Sequence, residues 1–227
     1  MKVKYRMTPN PITATPETTH REAVDLLRQY NIRRLPILDR EGRLVGIVVA
    51  EDLYSAQPSP ATTLSIYEIY TLLDKLTLAQ IMTTPVYAVD EDCGLASAAH
   101  FMAEKKISCL PVMRGEELVG IITETDIFKA FVEVLGGGEP GLRVDLRVAD
   151  RVGMLAEITR AFADSKSNIV SLTTFGSDVE GLRLISIKER GADVDEIREA
   201  LSKIEGVEIL EIRPSGQDQL LTFGKEK

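Results

Sequence analysis

Apolar residues along the chain fall into two spacings that alternate from Met7 onward. Ala23, Leu26, Leu27 and Tyr30 recur at intervals of three and four, which predicts a helix with one apolar face. The stretch that follows, "LPILDREGRLVGIVV", is apolar on both sides of a Gly-containing turn and predicts two paired strands. The succession then returns. "MTPNPITATPETTHREAVDLLRQYNIRRLPILDREGRLVGIVVAEDL" from Met7 is matched by "MTTPVYAVDEDCGLASAAHFMAEKKISCLPVMRGEELVGIITETDIF" from Met82. Pro36 falls opposite Pro111 and Ala23 opposite Ala98, 75 residues on; Gly46 and Asp52 fall opposite Gly120 and Asp126, 74 residues on, because the second turn is one residue shorter. Each unit therefore reads as a Met-Thr-(x)-Pro entry, a short β segment, a helix (Ala98, Phe101 and Met102 on its face in the second copy), two strands and a second helix. Ile127, Phe128, Phe131, Val132 and Leu135 continue the helical period at the end of the second unit.

Between the units, "QPSPATT" reads as a turn-rich linker and "LSIYEIYTLLDKL" as a helix. After "GGGEPG" the pattern changes: "LRVDLRVAD" alternates as a strand, and Leu155, Ile158 and Phe162 are spaced for a helix. "NIVSLTTFG" and "LRLISIKE" read as a hairpin, Ile197, Leu201 and Ile204 mark a second helix, and "VEILEIRP" closes as a strand. The order βαββαβ is that of a ferredoxin-like antiparallel sheet with two helices on one face. The expected class is α+β. The expected bounds are a tandem pair over 1–135 (first repeat about 7–56, helical insert 57–81, second repeat about 82–135), a linker at 136–141, a βαββαβ domain over 142–213 and a polar tail over 214–227.

Composition narrows the function. With 27 Lys and Arg against 35 Asp and Glu, the net charge of −8 argues against a binder of nucleic-acid backbones. Two cysteines, Cys93 and Cys109, lack the spacing of a metal clip or a disulfide framework, which suits a reducing, cytoplasmic compartment. The start "MKVKYRMTPNP" has no apolar leader core, and no run approaches the roughly 20 apolar residues of a membrane span, so a soluble protein is expected.

Thr123-Glu-Thr-Asp126 before an apolar run has the spacing of a helix capping box. The first copy keeps Asp52 but has Val49 where Thr123 stands, so capping alone is not expected to explain both acids; a helix-dipole role for Asp52 stays open. Neither His20 nor His100 has a paired acid at a ligand spacing, and no Walker or dinucleotide glycine loop occurs, so no catalytic residue is expected.

The tandem unit, its Leu-Pro strand and its Gly-hydrophobic-hydrophobic-Thr-x-x-Asp ending resemble a CBS-domain pair, or Bateman module. Residues 142–213 resemble an ACT domain through "DRVGMLAEI", in which Val152 stands in place of that family's proline. The combination is similar to the acetoin-utilisation regulator (AcuB-like) group. The resemblance implies ligand sensing without catalysis, with an adenosyl ligand (AMP, ADP, ATP or S-adenosylmethionine) in a cleft between the repeats and no catalytic cofactor. It would place Thr123 and Asp126 with Asn10, Ile12, Ile32, Arg33, Arg34 and Pro36 in a first site, the Asp on the ribose hydroxyls and an Arg on phosphate. Adjacent strand residues face opposite ways, so one of the two arginines is expected to point into the cleft. A second, weaker site would join Asp52 to Val86, Tyr87, Ile107, Ser108 and Pro111, with Ser108 and Cys109 where the first site has its arginines.

For the ACT domain the resemblance implies dimerisation and an amino-acid pocket at a subunit interface, formed by the loop Asp150, Val152, Gly153, Met154 and Leu155 with Asn168. Gly153 is read as lying in the first helical turn and Asp150 as an N-cap candidate. A homodimer acting on an unidentified regulated protein is the expected assembly, and a scaffolding dimer with vestigial pockets is the alternative.

Overall fold

The computed structural model describes residues 1–57 and 65–215; most of the expected linker "QPSPATT" and nearly all of the polar tail lie outside them. The chain divides into two units, Met1–Phe128 and Lys129–Lys227.

In the first unit, helix α1 (His20–Gln29) starts at a full capping box: Thr19 N–H donates to Glu22 Oε2 (2.8 Å) and Glu22 N–H to Thr19 Oγ1 (3.3 Å). The Thr19 N–H and the Thr19 hydroxyl (2.9 Å) both donate to the Glu22 carboxylate and draw it below its usual range. The helix buries Ala23 and Leu27, while Tyr30, read from spacing as part of the same face, sits exposed at the C-cap. Strands β2 (Arg34–Leu38) and β3 (Leu44–Val49) pair antiparallel, and α2 (Ala50–Ser55) follows. His20 is buried and its Nε2 lies 2.8 Å from the carbonyl of Leu53, so it donates, tying α1 to α2. The second copy repeats this plan with α4 (Leu95–Lys105), β5 (Cys109–Arg114), β6 (Glu117–Thr123) and α5 (Glu124–Val134). Of the apolar residues that continue the period of α5, Phe128, Phe131 and Val132 are exposed, and Ala130 is the one fully buried.

The repeats do not keep their own entry segments. Val3, wholly buried, packs with Ala98, Met102, Leu110 and Ile122 of the second repeat, and β1 (Thr8–Pro9) pairs with β6 through Thr8 and Ile121. Reciprocally, α3 (Ile66–Leu73) leads to Leu78, which is buried in the first repeat's core, and Thr83 exchanges backbone bonds with Ile47. The short strand β4 (Val89–Asp90) pairs parallel with β5; its counterpart in the first repeat is a single bridge from Ala14 to Ile37.

In the second unit, β7 (Leu142–Ala149), α6 (Met154–Asp164), β8 (Asn168–Gly176), β9 (Leu182–Arg190), α7 (Val194–Ser202) and β10 (Val207–Pro214) form an antiparallel sheet of order β10-β7-β9-β8. Alternate residues Val144, Leu146, Val148, Ile185 and Ile187 face the helices and meet Ile158, Phe162, Ile197 and Leu201, each worth about 1.5–3 kcal/mol when fully buried. On the other face, Arg143 and the buried Lys188 donate to the carbonyls of Leu135 (3.3 Å) and Gly136 (2.6 Å), the chain just beyond α5.

Candidate functional site

A cleft of about 290 Å3 opens between the two repeats of the first unit. Its walls are the entry segment at Asn10 and Ile12, the chain from Ile32 to Arg34, and the start of α5 at Thr123 and Asp126. Seven of the eight residues assigned to the first site thus converge. Pro36 does not: it is buried within β2 opposite Ile47. Asn10 adopts a left-handed backbone (φ 47°) with its N–H on the carbonyl of Val119, which fixes the turn into the cleft.

Thr123 and Asp126 form a capping box. Asp126 Oδ2 accepts from Thr123 N (2.9 Å) and Thr123 Oγ1 (2.7 Å), and Thr123 Oγ1 accepts from Asp126 N (3.3 Å). Both side-chain acceptances use Oδ2; among the described residues Oδ1 has no partner. Both arginines line the cleft, so the strict in-and-out alternation expected of them fails, because β2 begins only at Arg34. Arg33 is exposed; Arg34 is half-buried and its Nε donates to Ser108 Oγ across the repeats (3.4 Å).

The symmetric cleft, about 260 Å3, gathers Asp52, Val86, Tyr87, Ile107 and Ser108, while Pro111 stays in β5 opposite Ile121. Asp52 Oδ2 accepts from Val49 N (2.9 Å). The carboxylate half of a capping box is therefore present in both copies, which corrects the expectation that capping cannot account for Asp52: the Val49 N–H needs no side chain at position 49. Tyr87 packs edge-on against Phe101, with ring centroids 5.3 Å apart. Lys106 also lines this cleft, a cation that the comparison of positions 108 and 109 missed. The signal was available: Lys106 is the counterpart of Asn31, which lines the first cleft, and both take a left-handed backbone just after a helix (φ 55° and 50°). Cys109 is buried, and burial pushes its thiol up to about 11, which fits a packed rather than a reactive residue.

In the second unit, Asp150, Met154 and Leu155 border a cleft of about 190 Å3 with Thr174 and Arg183. Gly153 is the N-cap of α6 at φ 90°, not a residue of its first turn, and Asp150 does not cap the helix but accepts from Arg183 Nη2 (3.1 Å). Val152 is fully exposed. Asn168 pairs with Arg190, whereas Ala149 before the loop pairs with Leu182, so within one chain Asn168 stands at the opposite end of the sheet from the loop. Among the described residues no helix is long and apolar enough to cross a membrane, and no three His, Cys, Asp or Glu side chains gather as metal ligands.

The CBS-domain family model matches residues 3–59 and 78–133, and the ACT-domain model residues 143–206. An uncharacterized protein of Methanocaldococcus jannaschii is 34% identical over 141 residues, 60% of this chain; the match spans 33% of that relative's length. A Vibrio cholerae structure described as an acetoin utilization protein (AcuB) is 34% identical, covers 60% of this chain and 93% of its own, and superposes with a TM-score of 0.50. A CBS-domain pair solved in complex with 5′-methylthioadenosine and S-adenosyl-L-methionine is 32% identical over 58% of this chain and 95% of its own, with a TM-score of 0.49.

Proposed function

The chain belongs to the proteins that join two CBS domains to a C-terminal ACT domain, and from that we propose that it is a non-catalytic, cytoplasmic regulator. Its CBS pair takes an adenosyl ligand, AMP, ADP, ATP or S-adenosylmethionine, and its ACT domain pairs two chains and takes an amino acid. One observation carries the adenosyl reading: Asp126 Oδ1 has no partner among the described residues and stands in a cleft that Arg33 and Arg34 also line. A carboxylate suits a cis-diol, and a guanidinium suits phosphate oxygens. Ligand occupancy acts on a regulated protein by favouring one shape of the dimer, and couplings of about 1–3 kcal/mol are typical of such effects. A catalytic reading has less support, since His20 is committed to a backbone carbonyl and the Cys109 thiol is held protonated by burial.

The capping role of both acids favours the rival reading, a scaffolding dimer whose clefts bind nothing, because neither Asp52 nor Asp126 then requires a ligand. Calorimetry with AMP, ADP, ATP and S-adenosylmethionine separates the two. Saturable binding of at least one supports the sensor, and flat titrations with all four leave the scaffold. Light scattering tests the pairing of chains, with a single-chain mass at high micromolar concentration rejecting it.

A further inference from the structure

We propose that the cleft at the loop end of the ACT sheet recognises the ammonium and carboxylate of one small apolar amino acid with Asp150 and Arg183 of the same chain. This rests on the reading of the ACT domain as an amino-acid sensor and gives it residues and a selectivity. Strand register brings the two groups within reach: Arg183 pairs with Val148 and Ala149 with Leu182, so Asp150, whose N–H bonds the carbonyl of Gly181 (2.8 Å), lies diagonally across from Arg183 just past the end of β7. Their side chains meet at 3.1 Å with roughly half of each exposed, 44% for Arg183 and 51% for Asp150.

An ion pair so open to water is weakly held, and a zwitterion can replace each partner with its own opposite charge. The α-carboxylate takes the guanidinium fork and the ammonium donates to the Asp150 carboxylate. The other cation of the loop, Arg151, is already engaged by both carboxylate oxygens of Glu157 (2.7 and 2.8 Å). The cleft therefore offers one anion and one cation, which matches a neutral zwitterion and leaves no spare cation for a second carboxylate or a phosphate. Its floor is apolar, made by Val148, Met154 and Ile185, all nearly buried. A volume of about 190 Å3 holds a whole amino acid with a small side chain such as that of alanine or valine more closely than one with an aromatic ring.

The test is calorimetry on the full chain with alanine, valine, phenylalanine, glutamate, N-acetylvaline and valinamide. The last two remove the ammonium charge and the carboxylate respectively. Alanine or valine is expected to bind, and each blocked derivative, phenylalanine and glutamate to bind at least tenfold more weakly. Arg183→Ala and Asp150→Asn are each expected to weaken valine binding at least tenfold without lowering the melting temperature, and Arg183→Lys to recover part of it. If no amino acid binds, the sensor reading itself falls. If an amino acid binds but Arg183→Ala and Asp150→Asn leave its affinity unchanged, or N-acetylvaline binds as well as valine, the sensor stands and this recognition is wrong. Preference for phenylalanine or glutamate overturns the selectivity.

Discussion

Met82 Sδ occupies the place that a Cβ on Gly46 would take, and Met7 Sδ does the same at Gly120. Each repeat thus leaves a gap in its second inner strand that the methionine of the other repeat's entry segment fills.

Gly46→Ala and Gly120→Ala are each expected to destabilise the protein by about 1–3 kcal/mol, the usual cost of overpacking a filled core. Urea unfolding checks this. A double-mutant cycle should couple Gly46 to Met82 and Gly120 to Met7, and no coupling between Gly46 and Met7 is expected.

Asp126→Ala should act twice, removing the ribose acceptor and a helix cap worth about 1 kcal/mol. It should abolish the tighter adenosyl isotherm and lower the melting temperature. Asp52→Ala should lower the melting temperature and spare that isotherm. If Asp52→Ala removes the tighter binding instead, the ranking of the clefts is reversed.

Lys106 gives the second cleft a cation that Ser108 and Cys109 do not supply. A charge-assisted hydrogen bond contributes about 1.5–3 kcal/mol, so Lys106→Ala should weaken a phosphate-bearing ligand there by about tenfold or more and leave 5′-methylthioadenosine nearly unaffected. Calorimetry of the two ligands at the second cleft measures the difference.

The repeat was legible because Pro36 and Pro111, or Gly46 and Gly120, keep their spacing. Which Met meets which Gly was not, since a repeated pattern reads the same whether Met7 reaches Gly46 or Gly120. Periodicity likewise placed Phe128, Phe131 and Val132 along one helix but says nothing of what covers them, and the structure leaves them exposed. The first cleft was nearly complete in the sequence because its residues lie in matching motifs. Arg183 was not, because only strand pairing brings it to Asp150.

Gly153→Ala is expected to lower stability by about 1–2 kcal/mol, the cost of a left-handed backbone for an L-residue. Space is not the obstacle, since the nearest atom to the new Cβ is Glu157 Oε1 at 3.9 Å. Gly153→Asn should cost less, because Asn tolerates this region better. Thermal melts should show the same loss with and without amino acid; a loss confined to the ligand-bound protein would point instead to crowding of the ligand.

Asp92 accepts from Lys4 and Lys2, and these bonds pull its pKa down to about 2. Its folded value lies below its unfolded one, so its contribution to stability is complete above about pH 4 and is lost as pH falls toward about 2. The melting gap between wild type and Asp92→Asn should therefore hold steady from neutrality down to about pH 5 and close in the acid range. A gap that instead shrinks as pH rises would contradict the assignment.

The exchanged entry segments also set an order of events during synthesis. Thr8 pairs with Ile121 and the Val3 N–H with the carbonyl of Cys93, so the first repeat's entry segment has no complete seat until Ile121, 113 residues beyond Thr8, has been made. At roughly 5–20 residues per second that segment waits on the order of ten seconds, with Val3 and Met7 uncovered. The first repeat is completed sooner, once Thr83 emerges to pair with Ile47. The first repeat's entry segment is thus made ahead of that repeat and yet is among the last parts of the CBS pair to be seated.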